Sequence, residues 1–332
     1  MNPKLWTTAL TVSLTSAPAP ADHALGGFDL GTSGPITTIS ATTLPRGALS
    51  GGYQVEHQAF KEFSDAELTA FALQDIDVHS LKSNTTHSLR VAYGVTDDLT
   101  VGLKLPYVSR RNLREAHFHE DEGEVELHAL GDSDGIGDLT LLGQYRFFKS
   151  GGTEAAALVG VKAPTGKTDR AASTGETFEA EHLPGSGSWD GLLGAAVTRR
   201  WDSISLDANV LYTLATEGTQ DTDLGDRLTY NLALSYRLGS AAHEHGPGAA
   251  PHSHLSWDLI FELNGEHQQR QTIGGVRDEN SGGDVVYASP GVRLSGEGWS
   301  AYVSYGKPIV KDLNGIQHEP EYRVVAGVGL GF

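Results

Sequence analysis

The chain contains no cysteine. That excludes a disulfide framework, a thiolate metal site and a cysteine nucleophile. It also lacks any run of 18 consecutive apolar residues, so no membrane-spanning helix is expected. Bases are scarce: 24 Lys and Arg stand against 42 Asp and Glu, for a formal net charge of -18. A surface of that sign is a poor partner for nucleic acid, whose phosphates need Lys and Arg. It suits solvated loops and the attraction of cations.

What is present is alternation. In Tyr322–Phe332 one parity holds Tyr322, Val324, Ala326, Val328, Leu330 and Phe332, and the other holds Arg323, Gly327, Gly329 and Gly331. A strand sends successive side chains to opposite faces, so one face here is apolar and the other tiny or charged. A terminal Phe on such a strand is the usual ending of a bacterial outer-membrane barrel. A mean hydropathy of -0.26 does not oppose membrane insertion, because alternating strands average to a polar value. The 41 glycines suit tight turns and a crowded interior.

About twelve alternating segments recur, from 47–60 to 322–332, most near the ten residues a spanning strand needs. Leu89, Val91 and Tyr93 share one parity, as do Leu228, Tyr230, Leu232, Leu234 and Tyr236. The opposite parity carries Arg90, Lys104, Arg146, Lys162, Asp207, Asp258, Glu262 and Arg323, with Asn209, Asn231, Arg237 and Arg293. A midplane Arg or Lys facing lipid costs about 2–4 kcal/mol, so this parity is expected to line a lumen. A soluble β-sandwich also alternates, but predicts neither such uniform strands nor the Phe terminus. The expected fold class is therefore all-β: a single transmembrane antiparallel β-barrel of about 12 strands, outer-membrane type.

Connection lengths alternate as well. Segments 96–98, 149–152, 200–203 and 296–298 are short, whereas 61–85, 111–134, 165–188, 215–226, 268–283 and 310–319 are long. Barrels of this class have short periplasmic turns and longer external loops. The long 239–253 connection breaks this pattern by falling on the periplasmic side. In the first long loop, Ser64 followed by Glu67 before an apolar run is a capping-box signature and predicts a short helix over the mouth. At the N-terminus, Lys4, a short apolar stretch and the small-residue pairs around Pro18 and Pro20 read as a secretory signal. The domain expectation is a signal peptide over 1–21, a periplasmic N-terminal segment over 22–46 and a barrel over 47–332.

Several short motifs fall in order at strand–loop junctions: Gly135-Ile136-Gly137-Asp138-Leu139-Thr140, Pro164-Thr165-Gly166 and Pro184-Gly185-Ser186-Gly187-Ser188-Trp189-Asp190, with Tyr93–Leu99 and Leu105-Pro106-Tyr107 before them. Taken singly each is generic turn chemistry. In this order they resemble the outer-membrane phenol meta-pathway (MetA-type) transporter-like barrels, over roughly residues 85–332. The resemblance implies a diffusion or uptake channel in the bacterial outer membrane, with no catalytic residues to carry over.

Two His-rich stretches are where the chain departs from that resemblance. His117, His119 and His128 sit among Glu115, Glu120, Asp121, Glu122, Glu124 and Glu126. His243, His245, His252 and His254 form the second group. Imidazoles beside carboxylates suit Zn, Ni, Co or Cu, so these seven histidines are candidate ligands for a divalent transition metal, and no cofactor is otherwise required. Five membrane crossings between the groups put them at opposite mouths. Other near-motifs fail on context. Asp132–Asp138 lacks the rest of a calcium loop, Gly131–Gly135 lacks the strand and helix of a nucleophile elbow, and Gly160–Thr168 has five residues between its glycines where a phosphate loop has four. The tryptophans at strand ends read as interface girdles.

The function expected from sequence is an outer-membrane channel, not an enzyme, for small solutes that include hydrophobic or aromatic ones. A metal-handling outer-membrane protein is the second expectation. The expected partners are outer-membrane lipid and a small-molecule or metal-ion solute, with no nucleic acid.

Overall fold

The computed structural model describes residues 34–119, 123–238 and 255–331. The strands are β1 (Leu49–Lys61), β2 (Ser83–Thr96), β3 (Leu99–His119), β4 (Glu124–Ile136), β5 (Leu139–Ser150), β6 (Thr153–Ala163), β7 (Asp190–Trp201), β8 (Ile204–Leu214), β9 (Thr222–Asp223), β10 (Arg227–Leu238), β11 (Ser256–Gln268), β12 (Thr272–Ile273), β13 (Val276–Arg277), β14 (Gly283–Gly296), β15 (Trp299–Leu313) and β16 (Glu319–Gly331). Helix α1 (Asp65–Ala72) lies in the β1–β2 connection. Every neighbour in the main sheet is antiparallel. β16 pairs with β1, and β2 pairs with β3, so the sheet closes. β4 and β5 both lie beside β3, one beyond the other, and together make one broken strand. The result is a closed twelve-stranded barrel. β9, β12 and β13 form a small separate ribbon in the long connections.

The register follows the alternation. Leu89 is 58% exposed and its neighbour Arg90 4%. Leu103, Leu141, Leu193, Leu232, Phe261 and Val303 likewise face outward, forming an apolar belt. Trp189, Trp201 and Trp257 are exposed at strand ends, where amphipathic rings meet the membrane interfaces. The β2–β3, β5–β6, β7–β8 and β14–β15 turns are short and gather at one end, the periplasmic end by the rule for this class. The opposite end carries α1 and the long connections. There Ser64 accepts from the Glu67 amide while the Glu67 side chain accepts from the Ser64 amide, so the expected capping box is formed.

Two expectations need correction. Residues 111–134 are not a loop: β3 and β4 run on as a hairpin past the barrel rim. The alternation is hidden because the register shifts between Arg110 and Leu113, where Asn112 adopts φ 58. Such a bulge flips the parity. β4 pairs with β3 alone, and its other edge is covered by the β6–β7 connection through Lys167 N to Ile136 O and Ser173 N to Leu130 O. The second correction concerns the segment placed outside the barrel. Residues 34–44 lie inside it.

Candidate functional site

The inner segment is a strap across the lumen. Arg293 Nη2 donates to the Pro35 carbonyl at 2.6 Å. The amides of Ile36, Thr37 and Thr38 then point at one carboxylate, Glu262, at 2.9–3.1 Å. Consecutive amides converging in this way form an anion nest, and the charged acceptor strengthens each bond. Ile39 N donates to Asn209 Oδ1, Ala41 N to Thr198 Oγ1 and Leu44 N to Thr100 Oγ1, each at 2.8 Å. Gln144 Nε2 donates to the carbonyls of Ser40 and Thr42 at 2.9 and 3.0 Å. The strap thus visits β14, β11, β8, β7, β5 and β3 in turn.

Its apolar side chains find matching patches. Ile36 packs with Ile260, Tyr302 and Val325. Ile39 and Ala41 pack with Leu142, Ala156, Leu158, Leu192, Ala196 and Leu211. These wall residues sit on the inward parity, where an open aqueous lumen has no use for leucine. Four inward leucines at one level on β5 to β8 were the available sign of an apolar occupant.

Just outward of the strap lies a chamber of about 70 Å³, lined by Thr86, Lys104, Pro106, Val108, Asp138, Thr140, Lys162, Pro184, Asp190, Thr213, Ala215, Leu224, Arg227 and Gln268. Its wall residues lie four to eight positions nearer the outer end than the strap's anchors on β3, β5, β7, β8 and β11. A second cavity of about 80 Å³ lies on the other side, among Gly34, Arg200, Ser205, Arg237 and Asp258.

The family-like motifs converge on the chamber wall. Asp138 Oδ1 accepts from Gly166 N, and Oδ2 from Ser186 N, both at 2.9 Å. Lys162 Nζ reaches Asp190 at 2.6 Å, Ser186 Oγ at 2.6 Å and Asp138 at 3.3 Å. Ser188 Oγ donates to Asp190 Oδ1 at 2.8 Å. Gly166 and Gly185 touch through their backbones: a Cβ on Gly166 would stand 2.5 Å from Gly185 Cα. Three stretches that look like separate turns are one knot, placed where β4 breaks to β5.

The charged residues expected along the lumen lie inside the wall, and most are engaged with neighbours. Arg90 contacts Tyr302. Lys104 and Lys162 line the chamber. Arg146 binds Asp98 Oδ1 at 2.8 Å and Glu154 at 3.4 Å, near the periplasmic turns. Asp207 accepts from Ser205 Oγ at 2.6 Å, and Asp258 from Arg237 Nε at 2.8 Å. Glu262 holds the strap. Arg323 donates to Asn264 Oδ1 at 2.7 Å and stacks over Tyr287.

Of the candidate metal ligands, His117, His119 and His128 sit on the β3–β4 hairpin beyond the rim. His119, Glu126 and His128 bring one ligand atom each within 4.8 Å of one another, in an exposed setting. His243, His245, His252 and His254 lie outside the described residues. Sequence reading passed over a second cluster at the outer mouth, His79, Glu179, Glu181 and His182. Burial alone would lower His79, but its hydrogen bond to Glu115 and the charges of Glu179 and Glu181 raise it to about 10. Burial, reinforced by Glu179, pushes Glu181 up to about 7.

A family model described as "Putative MetA-pathway of phenol degradation" matches residues 87–308, two thirds of the sequence. The chain belongs to that family. Among solved structures, the COG4313 outer membrane channel from Pseudomonas putida F1 is similar at 17% identity and a TM-score of 0.56, over 88% of this chain and 98% of that one. The Ralstonia pickettii toluene transporter TbuX is similar at 11% identity and a TM-score of 0.41, over 94% and 96%. No curated protein matches by sequence. Family and fold make this a closed β-barrel of the outer-membrane type. The second expectation, a protein that handles metal as its cargo, gains nothing from these likenesses.

Proposed function

We propose that this family member is a diffusion channel for small, mostly apolar solutes that carry one polar group, phenol-like compounds among them, and that its strap is the inner gate. The carrying observation is the pairing of the Glu262 nest with the chamber outward of it. The chamber sets Pro106, Val108, Pro184, Ala215 and Leu224 beside Lys104, Thr140, Arg227 and Gln268. That mixture suits a ring with a hydroxyl or carboxylate better than a wholly polar solute. Pockets for such ligands are mainly apolar with a few placed polar groups. The family's phenol-degradation description agrees with this class. The reading is of a channel, not an enzyme: the polar groups of the chamber are bound up in ion pairs and hydrogen bonds that shape the wall.

The test is uptake into liposomes carrying the purified barrel, with phenol and benzoate against glucose, each rate taken above that of protein-free liposomes. Phenol or benzoate should enter faster than glucose, and a variant lacking residues 22–44 should enter faster still. Equal rates for all three solutes in both proteins would remove the proposal.

A further inference from the structure

The geometry points to a divalent transition-ion site at the outer mouth: we propose that His79, Glu179, Glu181 and His182 bind Zn²⁺, which staples the β1–β2 connection to the β6–β7 connection. The ion is a structural clamp, not a cargo, and the proposal is independent of which solute passes.

Each of the four residues offers one ligand atom, and these atoms all lie within 4.8 Å of one another. Donors bound tetrahedrally to zinc at about 2.0–2.1 Å lie about 3.3 Å apart, so side-chain rotations of roughly an ångström complete the shell. Two imidazoles with two carboxylates favour a first-row transition ion over Ca²⁺ or Mg²⁺, which prefer oxygen alone. Glu115 Oε2, 2.9 Å from His79 Nε2, adds a further carboxylate at the edge.

A second observation points the same way. The cluster opens on a cavity of about 210 Å³ that is also lined by Gln271 and His318, which are 3% and 8% exposed. Gln271 spends its amide hydrogens on Asp278 and Glu181, and its Oε1 has no hydrogen-bond partner. His318 turns Nδ1 to the His79 carbonyl at 3.4 Å, which leaves Nε2 as a lone-pair atom, again without a partner. Buried acceptors ordinarily find a donor. Here acceptors from four connections surround one space, and a cation is what satisfies them together. Arg110, the buried base on this wall, is turned to the carbonyls of His182 and Leu183 at 3.4 and 3.1 Å. The exposed His119, Glu126 and His128 trio has similar donors but lies in water, and it serves as the comparison.

The experiment uses the full barrel in detergent, stripped with EDTA and titrated with ZnCl₂ by calorimetry, with bound zinc counted by mass spectrometry. His243→Ala, His245→Ala, His252→Ala and His254→Ala together form the background, to remove the other His-rich stretch. That protein should hold one zinc tightly, and zinc should slow tryptic cleavage at Lys167 and Arg170. Adding His119→Ala and His128→Ala should leave the tight site unchanged. Adding His79→Ala and His182→Ala should weaken it by more than the 10–100-fold that loss of an outer-shell partner costs. Glu181→Gln with His182→Gln gives the same loss with shape retained, and heat-modified gel migration shows that the barrel is folded. CaCl₂ should not replace zinc. The proposal is overturned if the background protein binds no zinc in the micromolar range, as a proton-held imidazole–carboxylate network would behave, or if the inner variants bind it as well as the outer ones.

Discussion

The two ends of the lumen are closed by different chemistry. At the periplasmic end, backbone amides of residues 36–41 bond to fixed side chains of the wall, with Glu262 accepting three of them in succession. At the outer end, connections meet through imidazoles and carboxylates, His79 with Glu115 and Glu179, and His182 with Glu181. Of the side chains that accept these amides, only Glu262 is charged. The outer closure depends on which cations, protons or metal, share its lone pairs. One barrel therefore carries a mechanical closure and an ion-dependent one.

The largest effect is expected from Glu262→Ala. It orphans three amides that were bonded to a charge, each worth about 1.5–3 kcal/mol. A swing of roughly 5.5 kcal/mol takes a two-state population from 1:99 to 99:1, so the strap should leave the lumen. Planar-bilayer recordings should show a large rise in conductance, while protease resistance of the outer connections stays as it was. A conductance equal to the unmodified protein would mean that the strap is no gate.

Next comes Asp138→Ala, which acts between the two ends. It removes a buried acceptor from Gly166 N, Ser186 N and Lys162. Breaking a buried pair on one side costs about 3–5 kcal/mol. The temperature of heat-modified migration should fall clearly, and zinc binding at the mouth should weaken, because residues 179–182 lie on the connection that the knot holds. Retained stability would make the motif convergence incidental.

A smaller effect separates the ends by pH. Zinc must displace the proton that His79 holds up to about 10 as well as the one that burial holds on Glu181 up to about 7. Metal binding that releases protons strengthens as pH rises. Apparent zinc affinity should therefore increase from pH 6 to pH 8, up to about tenfold per unit for each proton displaced, while single-channel conductance stays flat. Affinity that falls over this range would contradict the assignment of ligands.

The smallest change is expected from Arg111→Ala on the protruding hairpin. Its partner Asp132 is at 2.8 Å, but both side chains are about half exposed. Such pairs are worth roughly 0–1 kcal/mol, so thermal stability and conductance should both stay near the unmodified values. A large loss would show that the hairpin braces the outer mouth.

Legibility tracked distance along the chain. Leu89 and Arg90 announce opposite faces by themselves, because lipid tolerates one and not the other. The Ser64 and Glu67 cap is likewise local. The β3–β4 hairpin was hidden by one left-handed residue, Asn112, where the register shifts. The strap was hidden because its bonds are made by amides, which every residue carries. Its one visible trace was the set of inward leucines at 142, 158, 192 and 211. The ligand cluster was hidden because His79 and Glu179 are a hundred positions apart.

By itself the sequence determined the barrel, its register, its approximate strand number and its membrane, since a period of two residues and the cost of charge in lipid are local and one-dimensional constraints. The tertiary structure alone decided that residues 34–44 turn back into the lumen, that three glycine-rich motifs close on Asp138, and that two histidines and two glutamates meet at the outer mouth. Those arrangements depend on which strands become neighbours when the sheet closes, and closure is a property of the whole chain.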